Sequence, residues 1–255
     1  MSTRIEQLFQ KKKKILSIYF TAGYPNHSDT LPILESLQEQ GVDMVEIGLP
    51  FSDPLADGPV IQQSSTKALS LGMTTEVLFN QLKDVRSKID IPLVIMGYFN
   101  PVLQFGVDAF CRTCAEIGID AVILPDLPLT VYEREFKDIF EHHGLQLIFL
   151  ITPQTSDERI RALDQASKGF IYLVSTASVT GSGSGFGQAQ VDYFKRISEM
   201  KLKNPIVVGF GIKDRETFRQ ATTHTDGAII GSAFIHALTE KGTAVIPEFI
   251  KGIRG

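Results

Sequence analysis

The sequence predicts a single (β/α)8 barrel, a TIM barrel, with an extra helix before its first strand. Three observations carry the prediction. Eight short runs rich in β-branched residues recur along the 255 residues. Most of these runs are apolar throughout, as parallel strands covered on both faces must be. Amphipathic helical patterns separate them. A doubly wound open sheet produces the same alternation and is the structural competitor.

Taken in order, the N-terminal segment reads as the extra helix, with Lys11 to Lys14 as its solvated end rather than an interaction patch. Leu16–Phe20 is the first strand. Ser28 is placed to cap a helix whose buried face is Ile33, Leu34 and Leu37. Met44–Ile47, Pro92–Met96 and Ala121–Leu124 follow as strands. Tyr132, Phe136, Ile139 and Phe140 share one helical face behind Thr130, with Glu133 completing a capping box. After the strand Leu147–Ile151, Thr155 and Glu158 repeat that signature before Ile160 and Leu163. Phe170–Val174, Ile206–Val208 and Ala228–Ile230 complete the eight. The Gly/Ser-rich segment Thr180–Gly187 resembles a linker in composition. Because a helix (Tyr193, Ile197, Met200) and a strand follow it in step, it reads better as a lid over a site. With no linker between folding units, residues 1–255 read as one domain.

Composition narrows the function. Apolar residues at 43% and charged residues at 21% suit a soluble globular chain, and a net charge of −4 argues against a nucleic-acid or anionic-membrane surface. The N-terminus lacks an apolar signal core, and no apolar stretch reaches about 18 residues. Cys111 and Cys114 have no second cysteine pair with which to complete a zinc site, and read as two reduced thiols of a cytoplasmic protein.

The site of such a barrel lies at the C-terminal ends of its strands. None of these ends offers a Lys or a His, which leaves carboxylates, hydroxyls and backbone amides as working groups. In Met44-Val-Glu-Ile-Gly48, period two sends Val45 and Ile47 to the helix layer and aims Glu46 into the barrel near its mouth. There desolvation raises its pKa and makes it useful for proton transfer; a structural Glu satisfied by a hydroxyl or an amide is the alternative. Asp57 lies in a proline-framed loop where it can stay ionised, so two carboxylates in unlike surroundings stand ready for acid and base steps. Asp53 is either a third participant or a cap of its own turn. Gly209-Phe-Gly211 and Gly231-Ser232 form glycine turns after the last two strands, where backbone amides and the Ser232 hydroxyl can hold a phosphate.

Pro50-Phe-Ser-Asp-Pro-Leu-Ala-Asp-Gly-Pro59 resembles the signature of the tryptophan synthase alpha subunit family almost letter for letter. Met96-x-Tyr98-x-Asn100-Pro101, Pro125-Asp-Leu-Pro128, Tyr172-x-x-Ser175, Val179-Thr-Gly181 and Gly209-Phe-Gly211 follow in that family's order. The resemblance implies a barrel that splits indole-3-glycerol phosphate into indole and glyceraldehyde 3-phosphate. It implies no cofactor in this chain, and a beta-subunit partner that holds pyridoxal phosphate in an alpha2-beta2 heterotetramer. It makes Glu46 and Asp57 the catalytic pair. It places Tyr172 beside the substrate and Thr180, Gly181, Phe210, Gly211, Gly231 and Ser232 around it. By their chemistry Phe20 and Tyr98 would suit a flat indole, with core packing as the alternative for such aromatics. Thr176 and Ser178 depart from the Arg and Gly that many members carry there. A sugar-phosphate isomerase or epimerase would also use Glu46 as a base, and a catalytically idle activating subunit is the reading from another class.

Overall fold

The computed structural model describes residues 2–175 and 186–255. Nine strand segments form one sheet: β1 (Ile15–Thr21), β2 (Met44–Gly48), β3 (Leu93–Met96), β4 (Ala121–Ile123), β5 (Gln146–Ile148), β6 (Leu150–Ile151), β7 (Ile171–Val174), β8 (Ile206–Gly209) and β9 (Gly227–Ile230). All neighbours pair in parallel, in the order β5-β4-β3-β2-β1-β9-β8-β7-β6. The two ends of that order, β5 and β6, are halves of one strand interrupted at Phe149, so the sheet closes on itself as a (β/α)8 barrel. The sequence reads Leu147–Ile151 as continuous. At the break the Phe149 amide donates to Ser167 Oγ (3.3 Å) rather than to a strand carbonyl, while its own carbonyl still accepts from Tyr172 N (3.0 Å).

Helices cover the outside. The extra helix Arg4–Lys11 forms as expected, opened by a capping box between Thr3 and Glu6. Phe110, Phe140, Phe170, Phe194 and Phe234 are fully buried and fill out the core, which suits their large apolar area. The helical faces expected around Ile33, Leu34 and Leu37, and around Ile160 and Leu163, are buried as well.

Three expected caps are displaced. Asp29, not Ser28, precedes the helix Thr30–Glu39, and its carboxylate turns back to the backbone and side-chain nitrogens of Asn26. Ser156, not Thr155, caps Asp157–Ala166 by accepting from Arg159 N, while the Thr155 hydroxyl accepts from Thr152 N inside the preceding turn. Thr130 caps nothing: the helix starts at Leu129 behind Pro128 and passes through a π-helical turn over Tyr132–Phe136.

The end of the barrel away from the mouth carries a repeated fastening. Asp43, just before β2, accepts from Leu16 N of β1 (2.9 Å) and donates its own amide to Leu16 O (3.0 Å). Asp120 before β4 does the same with Leu93 of β3, and Asp226 before β9 with Ile206 of β8. Ser167 stands in for an aspartate at the fourth pair, accepting from Phe149 N and donating to Phe170 O. Asp43 and Asp120 are buried and also take cations: Lys12 and Arg254 on the first, Arg86 and Arg4 on the second.

Asp120→Ala leaves the largely buried Arg86 guanidinium without its carboxylate and the Leu93 amide without an acceptor. The expected loss of unfolding free energy is about 3–5 kcal/mol, read from urea denaturation. A loss below about 1 kcal/mol would show that Asp120 fastens nothing.

Candidate active site

Strand β1 reads Ser17-Ile18-Tyr19-Phe20-Thr21, with polar side chains at alternate positions. Successive side chains of a strand face opposite ways, so Ser17, Tyr19 and Thr21 share one face. That face is the barrel interior, because Ser17 Oγ donates to Glu46 Oε1 (3.4 Å) and the Tyr19 hydroxyl lies over Gly48. Phe20, expected beside the substrate, is fully buried on the opposite face, toward the helices. Tyr19, not Phe20, stands on the interior face, and the same period-two reading that placed Glu46 would have found it.

Glu46 sits mid-strand in β2, paired in register with Tyr19 and wholly shielded from solvent. Burial pushes its carboxyl up to about 8, with only the Ser17 hydroxyl working in the other direction. Its second oxygen, Oε2, has no hydrogen-bond partner among the described residues. At neutral pH the group is therefore mostly protonated, a proton donor aimed at the interior and short of one partner.

Asp57 closes the loop after β2 and is half-buried. Tyr98, which follows β3, donates its hydroxyl to Asp57 Oδ2 (3.1 Å) and accepts from Ala56 N (3.0 Å). Its ring also packs against Phe51, with centroids 5.3 Å apart. One tyrosine thus holds both ends of the proline-framed loop. Partial burial raises the Asp57 carboxyl from its ordinary value, and the Tyr98 hydrogen bond opposes that shift. Burial pushes the Tyr98 hydroxyl up to about 12, so it remains a donor to Asp57. Asp53 is exposed, and its carboxylate accepts from the hydroxyl of its neighbour Ser52.

Two tyrosines floor the mouth. A Cβ on Gly48 would lie 2.1 Å from Tyr19 Oη, and one on Gly209 would lie 2.0 Å from Tyr172 Oη. Each ring crosses onto the neighbouring strand only because a glycine is there. Tyr172 is pushed well above its ordinary pKa by burial and then by Glu46 and Asp57, and burial likewise raises Tyr19, so both stay neutral hydroxyls.

The glycine turns follow β8 and β9 as expected. Phe210 and Gly211 both have positive φ (69° and 77°), and both are exposed. Gly231 caps the helix Ser232–Lys241, whose first residue, Ser232, is exposed. The backbone amides of Gly211, Ser232 and Ala233 have no acceptor among the described residues, the arrangement that suits an anion. Thr180, Gly181, Thr176 and Ser178 lie outside the described residues, as does most of the expected lid; only Phe186 and Gly187 of it are described. Among the described residues no group of three or more His, Cys, Asp or Glu could hold a metal, and no helix is long and apolar enough to cross a membrane.

The chain matches the family model described as tryptophan synthase alpha chain over residues 5–249. A tryptophan synthase alpha chain of Flavobacterium johnsoniae is 64% identical over 251 residues, 98% of this chain and 99% of the relative. The crystal structure of a tryptophan synthase alpha chain from Legionella pneumophila subsp. pneumophila is similar with a TM-score of 0.90 and 31% identity, covering 100% of this chain and 97% of that one. The structure of a tryptophan synthase complex from Pyrococcus furiosus gives a TM-score of 0.86 and 32% identity over 96% and 99% of the two chains.

Two stability measurements check this geometry. Gly48→Ala should destabilise by about 1–3 kcal/mol through overpacking, and by less when combined with Tyr19→Ala; equal effects in both backgrounds would mean that the ring does not lie there. The pH dependence follows from Glu46, whose carboxyl goes from an ordinary 4.5 to about 8 on folding. Between these values the folded state holds a proton that the unfolded state has lost, so stability falls as pH rises. The fall should approach about 1.4 kcal/mol per pH unit and should flatten in Glu46→Gln. An unchanged slope in that variant would refute the shift.

Proposed function

The chain belongs to the tryptophan synthase alpha chain family, and from that membership we propose that Glu46 and Asp57 are the groups with which it splits indole-3-glycerol phosphate. It is a carbon–carbon lyase of tryptophan biosynthesis, releasing indole and glyceraldehyde 3-phosphate. The observation that carries the proposed residue roles is Glu46: a shielded carboxyl, held near 8, with one oxygen unpartnered among the described residues.

Cleavage requires a proton on ring carbon 3, support at the ring nitrogen, and loss of the side-chain hydroxyl proton. Protonated Glu46 gives its proton to carbon 3, which leaves positive charge at the ring nitrogen. Ionised Asp57, oriented by Tyr98, hydrogen-bonds the ring N–H and stabilises that charge electrostatically. The Glu46 carboxylate then takes the hydroxyl proton. The oxygen forms the aldehyde carbonyl as the carbon–carbon bond breaks, and the bonding electrons return to the ring as indole. One carboxyl serves as acid and then as base, and ends as it began.

Tyr98, Tyr172 and Tyr19 flank the indole in this reading. The amides of Gly211 and of the helix start at Gly231 and Ser232 hold the phosphate, with Phe210 beside them; Thr180 and Gly181 complete the surroundings by family motif. The beta subunit is the partner, in an alpha2-beta2 assembly, and pyridoxal phosphate belongs to that subunit rather than to this one. The continuous sheet from β1 to β9 supports one folding unit over residues 1–255, and a cytoplasmic location accords with the biosynthetic role.

Indole release by the purified chain, with and without the beta subunit, tests the reaction; no indole under either condition would overturn it. Glu46→Gln and Asp57→Asn should each lower turnover roughly 100- to 10,000-fold with the fold retained, and near-native turnover in either would remove that residue from the mechanism. Because Glu46 must carry its proton, kcat/KM should fall as pH rises through about 8. Because Asp57 must be ionised, the rate should also fall toward acid pH. An alkaline limb still present in Glu46→Gln would assign it to another group.

A further inference from the structure

Among the described residues Lys14, Lys201 and Phe210 have positive φ without being glycine, and of these only Phe210, at φ +69°, follows a strand at the mouth of the barrel. A side chain in that region is disfavoured, and such strain persists only where surrounding contacts over-determine it. The contacts come from one residue above all. Ser175, the residue after β7, is 1% exposed; its hydroxyl donates to Phe210 O at 2.7 Å, and its amide donates to Gly209 O at 3.1 Å. The Phe210 ring meets Tyr172 edge-on at 6.4 Å, and Phe186 packs where a Cβ of Gly211 would lie.

We propose that Ser175 is a positioning residue for phosphate recognition: by gripping the Phe210 carbonyl, its hydroxyl aims the Gly211 amide at the anion. The proposal rests on the reading that Gly211 holds phosphate. Phe210 C=O and Gly211 N–H belong to the same peptide group, which is planar and trans, so that the carbonyl and the amide hydrogen point in opposite directions. A buried bond to one end fixes the direction of the other. The Gly211 amide is left without an acceptor among the described residues, facing away from Ser175. The same bond polarises the peptide and strengthens its N–H as a donor. Among the described residues Ser175 makes no hydrogen bond to Glu46 or Asp57: it follows β7 and the Phe210 turn follows β8, whereas the two acids stand on and after β2.

The test compares Ser175→Ala with Ser175→Cys, nearly isosteric but a weak donor, using glycerol 3-phosphate as a competitive inhibitor and glycerol as its uncharged control. The inhibition constant for glycerol 3-phosphate and the substrate KM should rise together by about 3- to 10-fold in Ser175→Ala, the range of one neutral hydrogen bond. The rise should be smaller in Ser175→Cys, and kcat should stay within about twofold in both. Should Ser175→Ala fail to fold, the Cys variant carries the same comparison. An unchanged inhibition constant, or a fall in kcat at constant KM, overturns the role of Ser175. Gly211→Val separates the two readings: if it abolishes glycerol 3-phosphate inhibition while the Ser175 variants change nothing, only the Ser175 assignment falls. If Gly211→Val also leaves inhibition unchanged, the phosphate reading falls with it.

Discussion

A carboxyl group inside a closed barrel has no water to fall back on, and the arrangement around Glu46 follows from that. One of its oxygens meets Ser17 across the β1–β2 register; the other meets nothing among the described residues. A carboxylate so placed is costly, so the group keeps its proton to about 8. The same desolvation that weakens the fold supplies the chemistry. A second hydrogen bond to Oε2 would steady the folded state and lower the pKa, and would remove the reason for having an acid there.

Asp57 solves a different problem. It must act on a ring nitrogen from a loop, and loops are poor at holding a side chain still. The remedy is Tyr98, which bonds the carboxylate with its hydroxyl and accepts from the backbone of the residue before it. The prolines on either side narrow the loop's conformations further. The unlike treatment of the two acids, one sealed into a strand and one tethered at the mouth, lets a single site hold a proton donor and an anion at the same pH.

The barrel was legible in the sequence because parallel strands covered on both faces must be apolar throughout, and few other arrangements keep that pattern for eight units. Glu46 was legible for the converse reason: an acid breaking such a run stands out. Features set by atoms one residue apart were not. Ser28 and Asp29, or Thr155 and Ser156, are both good caps by type, and only the path of the chain decides between them. Phe20 is suited to an indole by its chemistry, but strand direction assigns faces by parity and not by hydrophobicity, and parity puts Tyr19 on the interior face. The π-helical turn at Tyr132–Phe136 leaves no clear local mark, since it shifts a helical pattern by a single position. Glycine is equally silent about its purpose: nothing in the letters shows that Gly48 and Gly209 are there to let tyrosines cross onto their strands.

The fastenings opposite the mouth recur at every second strand: Asp43 on Leu16, Asp120 on Leu93, Ser167 on Phe149, Asp226 on Ile206. Each lies inside one pair of consecutive strands, and none joins one pair to the next. The molecule is thus assembled from quarters, each clipped shut by its own side chain. New termini between quarters would leave each clip closing a continuous stretch of chain, whereas a cut within a quarter would turn its clip into a contact between the two ends of the chain.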